Sequence, residues 1–394
     1  MNSIVNIAQI WWAELRNVMR DHGVVLFVFI VPLLYPLLYA FIYNNEVVRD
    51  VPVAVVDESQ SPLSRRFVRM LDATPEVKVA ARCLSVAEAE ELNRRSEVYA
   101  VVVIPADFSK RLVRGEQATV GVYADMAGML YYKSALLAAT NVSLELNKDI
   151  KVERFYTGAT DRQEQIATQP IGYDYVSLYN PQSGFAAFLM PPVLMLILQQ
   201  TLMLGIGMTG GGVRERFGQI AVPPGKIYKN PLHIVAGRTL FYFVLYLLLA
   251  MYMYVVVTRL FTLPQLGHWA TYLAFMVPFL LASIFMAITY SAFVYRREDC
   301  ILLFVFMSVP LLFISGISWP GAAVPDFWRW VGYLFPSTFA TNGYVRINTM
   351  GASLHDVSRE FIAMWIQAGV YFLCSVVFYR REIMRRLNAR RARK

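Results

Sequence analysis

Long runs of apolar residues without a single Asp, Glu, Lys or Arg constrain this chain more than any other feature. The first lies between Asp21 and Glu46, with a core at residues 24–43, and similar runs recur in the second half. A helix needs about 20 apolar residues to cross the hydrocarbon layer of a bilayer. Apolar residues make up 57% of the chain and charged residues only 16%, a balance unlike that of a soluble protein. The runs therefore predict a polytopic membrane protein.

Six membrane spans are predicted, so both termini lie on the same side of the membrane. Their cores are at about residues 24–43, 183–208, 239–258, 269–295, 300–317 and 361–379. In the short segments next to the spans, leaving out the long insertion at 44–180, sixteen Lys and Arg residues lie on the side of the termini and four on the other side. Because basic residues favour cytoplasmic loops, the termini are predicted to be cytoplasmic. The basic tail is expected to contact anionic lipid headgroups; it has no interleaved aromatic residues, so nucleic-acid binding is not expected.

A charge-rich insertion separates the first two spans and is predicted to be extracytoplasmic. β-Branched runs at 51–56, 77–81, 99–104 and 119–123 alternate with helical patterns, the last at 129–156. This alternation is typical of a small α/β domain. The predicted fold class is a polytopic α-helical membrane protein of six spans, with this α/β domain inserted between spans one and two. The predicted segments are 1–22 (interfacial helix), 23–43 (first span), 44–180 (α/β domain), 181–379 (five-span bundle) and 380–394 (basic cytoplasmic tail).

The N-terminal segment is predicted to be an amphipathic helix in the cytoplasmic membrane interface. Trp11, Trp12 and further apolar residues recur at helical spacing, whereas Glu14 and Arg16 fall on the opposite, polar face. Little soluble cytoplasmic chain exists for such a helix to pack on. The membrane surface is therefore its expected partner.

Two further expectations concern the polar ends of the spans. Arg238, near the start of the third span, is expected to extend its guanidinium to the cytoplasmic surface. The glycines at 205–212 are expected to end the second span abruptly before Arg214.

No Asp or Glu lies within the six span cores, which argues against ion-coupled secondary transport. Any transport energy must then come from elsewhere.

Catalytic, metal and cofactor sites are not predicted. No nucleophile, base and orienting residue combine into a set, and the four histidines are dispersed. The three cysteines form no metal-binding motif. Gly225-Lys226 lacks the rest of a Walker A motif, so the chain is not expected to bind ATP.

Two groups of residues are candidates for a transport pathway. Polar or kinked positions of the second and fifth spans form the first group, although helix packing explains them nearly as well: Gln199, Gln200, Thr201, Ser308 and Pro310. The second group lies at about 319–340, where prolines break the chain among aromatic residues: Trp319, Pro320, Pro325 and Pro336. Two short re-entrant or interfacial helices are predicted there, with a plain amphipathic loop as the alternative.

The order of these features resembles the permease subunits of ABC exporters of the ABC-2 type. The matching features are the N-terminal helix, the six spans, the loop Arg214-Glu-Arg-Phe-Gly218, the Gly237-Arg238 pair and the series Gly316, Pro320, Pro325, Pro336. The insertion, which begins VPVAVVDESQSPLSRRF, is similar to that of the multidrug-type subgroup. In that family the loop after the second span docks on the ATPase. The resemblance therefore implies an ATPase-coupling role for Arg214, Glu215, Arg216 and Gly218.

The resemblance also implies function and partners. The expected function is that of a non-enzymatic permease subunit in the bacterial inner membrane, which exports an amphiphilic, drug-like or lipid-like substrate. The expected partners are separate ABC ATPase subunits, a second permease in a homodimer or heterodimer, the bilayer and, at the outer domain, a periplasmic adaptor and an outer-membrane channel. The alternative is a membrane-anchored sensor or assembly scaffold whose outer domain binds a ligand or partner. A sensor of that kind usually has a sizeable cytoplasmic output domain, which this pattern does not show.

Overall fold

The computed structural model describes residues 2–44, 47–155, 160, 178–181, 184–217 and 230–391. The chain divides into two compact units. Residues 1–46 and 177–394 form a helical unit, and Val47–Val176 form a unit built on a four-stranded sheet. Each unit has a hydrophobic core of its own.

The chain begins with two helices of different character. Helix α1 (Asn2–Met19) has polar and apolar faces. Asp21 follows it and caps the next helix, because its carboxylate accepts a hydrogen bond from the backbone N–H of Val24. That helix, α2 (His22–Ile42), is apolar throughout and contains one π-helical turn at Leu26–Ile30.

The second unit is a mixed sheet covered by helices. The strand order is β2-β1-β3-β4, where β1 (Val51–Asp57) is parallel to β2 (Val77–Cys83) and β3 (Ala100–Ile104), and β4 (Gly121–Ala124) is antiparallel to β3. The helices of this unit are α3 (Pro62–Asp72), α4 (Val86–Arg94), α5 (Phe108–Arg114) and α6 (Met129–Phe155). The strands and helices expected from the alternating pattern are present, within a few residues of the expected bounds.

Both faces of the sheet are covered, so the unit has three layers. Val53 and Val55 of β1 share one core with α3 and α6, while Ala54 and Val56 share the other with α4. Helix α6 packs on the sheet through small residues such as Ala138. Its evenly spaced leucines are exposed instead, at Leu130, Leu137 and Leu144.

The second half of the chain supplies the rest of the helical unit. Its helices in the described residues are α7 (Phe185–Phe217), α8 (Pro231–Leu260), α9 (Trp269–Ser291), α10 (Arg297–Ile314), α11 (Asp326–Gly332), α12 (Pro336–Met350) and α13 (Ser358–Arg391). Among the described residues, five helices are long and apolar enough to cross a membrane: α2, α7, α8, α9 and α13. Helix α10 occupies the predicted fifth span, but it has 18 residues and begins with three charged ones. The sixth span and the side of the membrane on which the sheet unit lies stay predictions.

The segment after α10 differs from the two short helices expected there. Helix α11 has seven residues, and its aromatic side chains are exposed. Helix α12 has 15 residues and is largely buried against α7, α9 and α13. The prediction of a second short helix was wrong, because small residues such as Ala340 and Gly343 let α12 pack inside the unit. Pro336 is its first residue, where a missing N–H costs no hydrogen bond.

Helix α7 is the centre of the helical unit. In its apolar stretch 89% of the residues are buried, and it packs against α2, α9, α10 and α12. It approaches α2 closely at Gly205, where an added Cβ would lie 2.3 Å from Cγ2 of Val28. Valine is stiff at χ1, so Val28 cannot easily turn away. The position requires glycine for packing.

This packing yields a stability prediction with an internal control. We expect Gly205→Ala to lower the melting temperature in detergent, because overpacking of a core costs about 1–3 kcal/mol. Gly369 in α13 has nothing within 4 Å of an added Cβ, so Gly369→Ala is expected to leave the melting temperature unchanged or to raise it. Equal melting temperatures for the two variants would contradict the close approach of α2 and α7.

Candidate functional site

The predicted coupling residues lie at the end of α7, which the glycines do not terminate. The helix continues through Gly210, Gly211 and Gly212 to Phe217, so the expected abrupt end was wrong. These glycines make room for the connection between α9 and α10. A Cβ on Gly211 would lie 3.1 Å from the carbonyl carbon of Arg296, and one on Gly212 would lie 2.6 Å from Nη2 of Arg297. The small residues thus let another part of the chain cross α7 directly.

Arg214 fixes this crossing from inside the protein. It is buried, and its Nη1 donates to the carbonyl of Ser291 at 2.8 Å and also to the carbonyl of Val294. Its guanidinium carbon lies 5.6 Å from the ring centre of Tyr295 and 5.8 Å from that of Phe378. Carbonyls at a helix C-terminus carry partial negative charge, so an arginine is a suitable partner for them. Arg214 therefore joins α7 to the end of α9.

Glu215 faces outward and extends the same crossing. Its Oε1 accepts a hydrogen bond of 2.9 Å from the backbone N–H of Arg297, and its Oε2 lies 3.5 Å from Nε of that residue. Nη2 of Arg297 also pairs with Asp21 at 2.6 Å. The ends of α1, α7 and α10 are thus joined by one arginine. Of the other predicted coupling residues, the side chain of Arg216 and all of Gly218 lie outside the described residues.

A buried ion pair links α1 to the bundle. Arg238 and Glu14 are each only 2% exposed, with Nη2 2.7 Å and Nε 2.9 Å from Oε1 of Glu14. The expectation that Arg238 reaches the surface was wrong, and so was the placement of Glu14 on an outward polar face. An unpaired buried charge costs several kcal/mol, so each of these two residues requires the other. Arg238 and Glu14 are 224 residues apart. The sequence shows the first only as an isolated arginine in an apolar run and the second as a glutamate in the N-terminal helix.

Hydroxyl groups from three helices extend this ion pair into a hydrogen-bonded network. The Tyr379 hydroxyl of α13 accepts a hydrogen bond from Nη1 of Arg238. The Tyr242 hydroxyl of α8 donates to Glu14 at 3.1 Å and lies 3.4 Å from Oγ1 of Thr209 in α7. We call these five side chains, Glu14, Arg238, Tyr242, Tyr379 and Thr209, the buried polar cluster. It connects α1, α7, α8 and α13.

One further buried carboxylate lies near this cluster. Glu382 is one turn beyond Tyr379 on α13 and is 3% exposed. It interacts electrostatically with Arg214. Its Oε1 has no hydrogen-bond partner among the described residues. The end of the unit near α1 therefore contains two buried arginines and two buried glutamates.

The candidate pathway residues have separate roles in the structure. Gln199 is fully buried: its Nε2 donates to Oγ of Ser337 at 2.9 Å, and its Oε1 accepts from the Ser337 N–H at 2.7 Å. Phe335, the N-cap of α12, offers no side-chain cap, so Gln199 caps α12 from α7. Thr201 is also buried and donates to the carbonyl of Ile197 in its own helix, whereas Gln200 is partly buried.

The structure brings Pro310 together with part of the aromatic segment. Pro310 lies in an apolar groove of about 290 Å³ between α10 and the chain that follows it. The groove is lined by Pro310, Phe313, Ile314, Trp319, Val324, Pro325 and Trp328. Pro320 is exposed nearby. Ser308 is on the same helix, two residues before Pro310, but does not line the groove.

The two tryptophans of α1 face different surroundings. The Trp11 ring contacts that of Phe241 in α8, with their centres 6.0 Å apart. Trp12 is 55% exposed, on the side of α1 away from the buried Ile10 and Glu14. Such a helix, held by the bundle on one side and apolar on the other, suits a membrane interface, and that placement stays a prediction.

The sequence profile of the ABC-2 family transporter proteins matches residues 22–377, which is most of the chain. The chain belongs to the ABC-2 transporter family. Comparison with individual curated proteins gave no match. Membership supports an ABC transporter permease, a membrane protein that works with ABC ATPase subunits. Glu14 and Glu382 of this permease lie outside the matched range, whereas Arg214, Glu215, Arg238 and Arg297 lie inside it.

The cap that Gln199 provides can be tested in this permease. We expect Gln199→Leu to destabilise the protein by about 1–2 kcal/mol, because the N-terminal N–H of α12 and the Ser337 hydroxyl lose their partner. The adjacent Gln200→Leu serves as the control and is expected to have little effect. Thermal unfolding in detergent measures both. Equal stability of the two variants would show that the contact between α7 and α12 does not depend on this amide.

Proposed function

We propose that this permease is one half of the membrane part of an ATP-driven exporter, and that its ATPase acts on the end of α7. The attachment of that end by Arg214, Glu215 and Arg297 carries this proposal. A helix end that receives force from another subunit must be joined to its neighbours, and here it is joined to α1, α9 and α10. The count of basic residues supports a cytoplasmic location for this end. Both termini are then cytoplasmic, and the permease lies in the bacterial inner membrane.

We propose an amphiphilic, drug-like or lipid-like substrate. The groove at Pro310 supports this class, because its lining is apolar and includes two tryptophans, Trp319 and Trp328. The exposed ion pair of Asp326 and Arg329 lies on the neighbouring helix α11 and offers partners for a polar head. A molecule with an apolar body and a polar end fits both features.

We further propose that two permeases associate, as a homodimer or a heterodimer, with two ATPase subunits. With the six predicted spans, one before the sheet unit and five after it, and with cytoplasmic termini, that unit lies outside the cytoplasm. The exposed leucines of α6, Leu130, Leu137 and Leu144, give this unit an apolar surface that suits a periplasmic adaptor. An outer-membrane channel would complete such an export path.

Purification tests the dependence on a partner ATPase. From cells that encode the permease, we expect an ABC ATPase to co-purify with it in mild detergent. Hydrolysis of ATP is expected from the complex and not from permease stripped of the partner. Glu215→Ala is expected to reduce the ATPase recovered, whereas Glu116→Ala in the sheet unit, also an exposed carboxylate, is the control. ATP hydrolysis by the stripped permease would contradict the proposal.

Thiol labelling tests the orientation. Gln117 in the sheet unit and Arg16 in α1 are exposed, so each is suitable for an introduced cysteine. In a Cys374→Ser background, a thiol probe that cannot cross the bilayer is expected to label Gln117→Cys from outside and Arg16→Cys only after permeabilisation. Cys83 is not expected to interfere, because burial raises the pKa of its thiol above the ordinary value. The reverse order of labelling would invert the topology.

A further inference from the structure

The ion pair of Glu14 and Arg238 requires an explanation other than stability. A buried ion pair often adds little to stability, since apolar residues of similar volume replace it at no cost. The pair does restrict how the helices that carry it are oriented, because each charge must keep its partner and its hydrogen bonds. Here Glu14 receives hydrogen bonds from Arg238 and Tyr242, and Arg238 also donates to Tyr379. The pair therefore fixes the position of α1 relative to α8 and α13.

The residue before Arg238 brings α1 close enough for this contact. A Cβ on Gly237 would lie 2.8 Å from the side chain of Ile10 and 3.0 Å from the carbonyl oxygen of Ile7. The backbone of α1 thus lies in a notch on α8. Ile10, Glu14 and Val18 form the buried stripe of α1, at a spacing of four residues. Gly237 and Arg238 together provide the notch and the charge that hold this stripe.

A second attachment lies at the other end of the same helix. Asp21, two residues after α1, pairs with Arg297, and Arg297 contacts Glu215 at the end of α7. Helix α1 is therefore held at its middle by α8 and α13, and at its end by α7 and α10. Asp21 and Glu14 are thus two separate attachment points of α1, and the one at Asp21 is continuous with the end of α7.

We propose that Glu14 and Arg238 are positioning residues of the transport cycle. They keep α1 at a fixed position along α8 and α13 while the end of α7 moves. Helix α2, which follows α1 at Asp21, then moves together with α8 and α13. The inference rests on the proposed function, since the displacement of α7 comes from the ATPase. The family match begins at residue 22, so it does not include α1.

Distances between spin labels test this role in the full permease bound to its co-purified ATPase in lipid nanodiscs. One pair of labels, at Ala8→Cys in α1 and Leu240→Cys in α8, reports the register of α1; both positions are exposed. A second pair, at Glu298→Cys in α10 and Leu240→Cys, reports whether this end of the protein moves. Both are measured in a Cys374→Ser background, without nucleotide and with ATP plus vanadate.

With Glu14 and Arg238 present, we expect the first distance to stay the same in both conditions while the second one changes. In the apolar variant Glu14→Leu, Arg238→Met, Tyr379→Phe, we expect the first distance to be normal without nucleotide and to lengthen and broaden with it. Arg16→Leu, which removes an exposed charge from the same helix, is the matched control and is expected to behave like the unaltered protein. An apolar variant that keeps α1 in register with nucleotide bound would overturn the inference.

Two other results of this experiment also test the inference. If the apolar variant does not fold, Glu14→Asp retains the charge but is one methylene shorter, so it is expected to show a smaller lengthening of the first distance with nucleotide. An unchanged first distance in Glu14→Asp would then overturn the inference. If the second distance does not change in the unaltered complex, the proposed action of the ATPase at this end fails, and the inference fails with it.

Discussion

The cost of burying charge governs the end of the helical unit at which α1 lies. Arg238 and Glu14 are both removed from water, and either one alone would cost several kcal/mol. Their mutual contact therefore dictates that α1 lies against α8, with Tyr379 of α13 at hydrogen-bond distance. Arg214 obeys the same rule with a different partner, the carbonyls at the end of α9. Each buried arginine thus forces two distant parts of the chain together.

The residues that surround the two ends of α10 differ strongly. Near Arg297, at the first end, they are charged residues and glycines that permit close helix crossings. Beyond Ile314 the chain is rich in proline and exposed aromatic residues, and α12 enters the core from that side. Between them, Gln199 on α7 caps α12. Gln199 therefore links α7, whose end is the proposed site of ATPase action, to α12, which follows the aromatic segment.

Much of this architecture follows from local patterns. Runs without charge predict α2, α7, α8, α9 and α13, and alternating β-branched runs predict the sheet. Local patterns cannot show contacts between residues far apart. On a helical wheel Glu14 lies between Ile10 and Val18, but its charge favours the polar face because its partner, Arg238, is absent from the wheel. The contact between Gln199 and Ser337 spans 138 residues, and the sequence offers only a glutamine within an apolar helix. In both cases the visible signal is a polar residue where an apolar one is expected, which indicates a buried partner without identifying it.

Photo-crosslinking from one position at a time tests most directly whether the ATPase binds at the end of α7 and the helix ends next to it. A photoreactive amino acid in place of Glu298 lies on the exposed first turn of α10, next to Arg297. One in place of Trp330 lies on α11, beyond the other end of α10. The account predicts crosslinks to the ATPase from position 298 and none from position 330. Crosslinks from position 330 alone would contradict it.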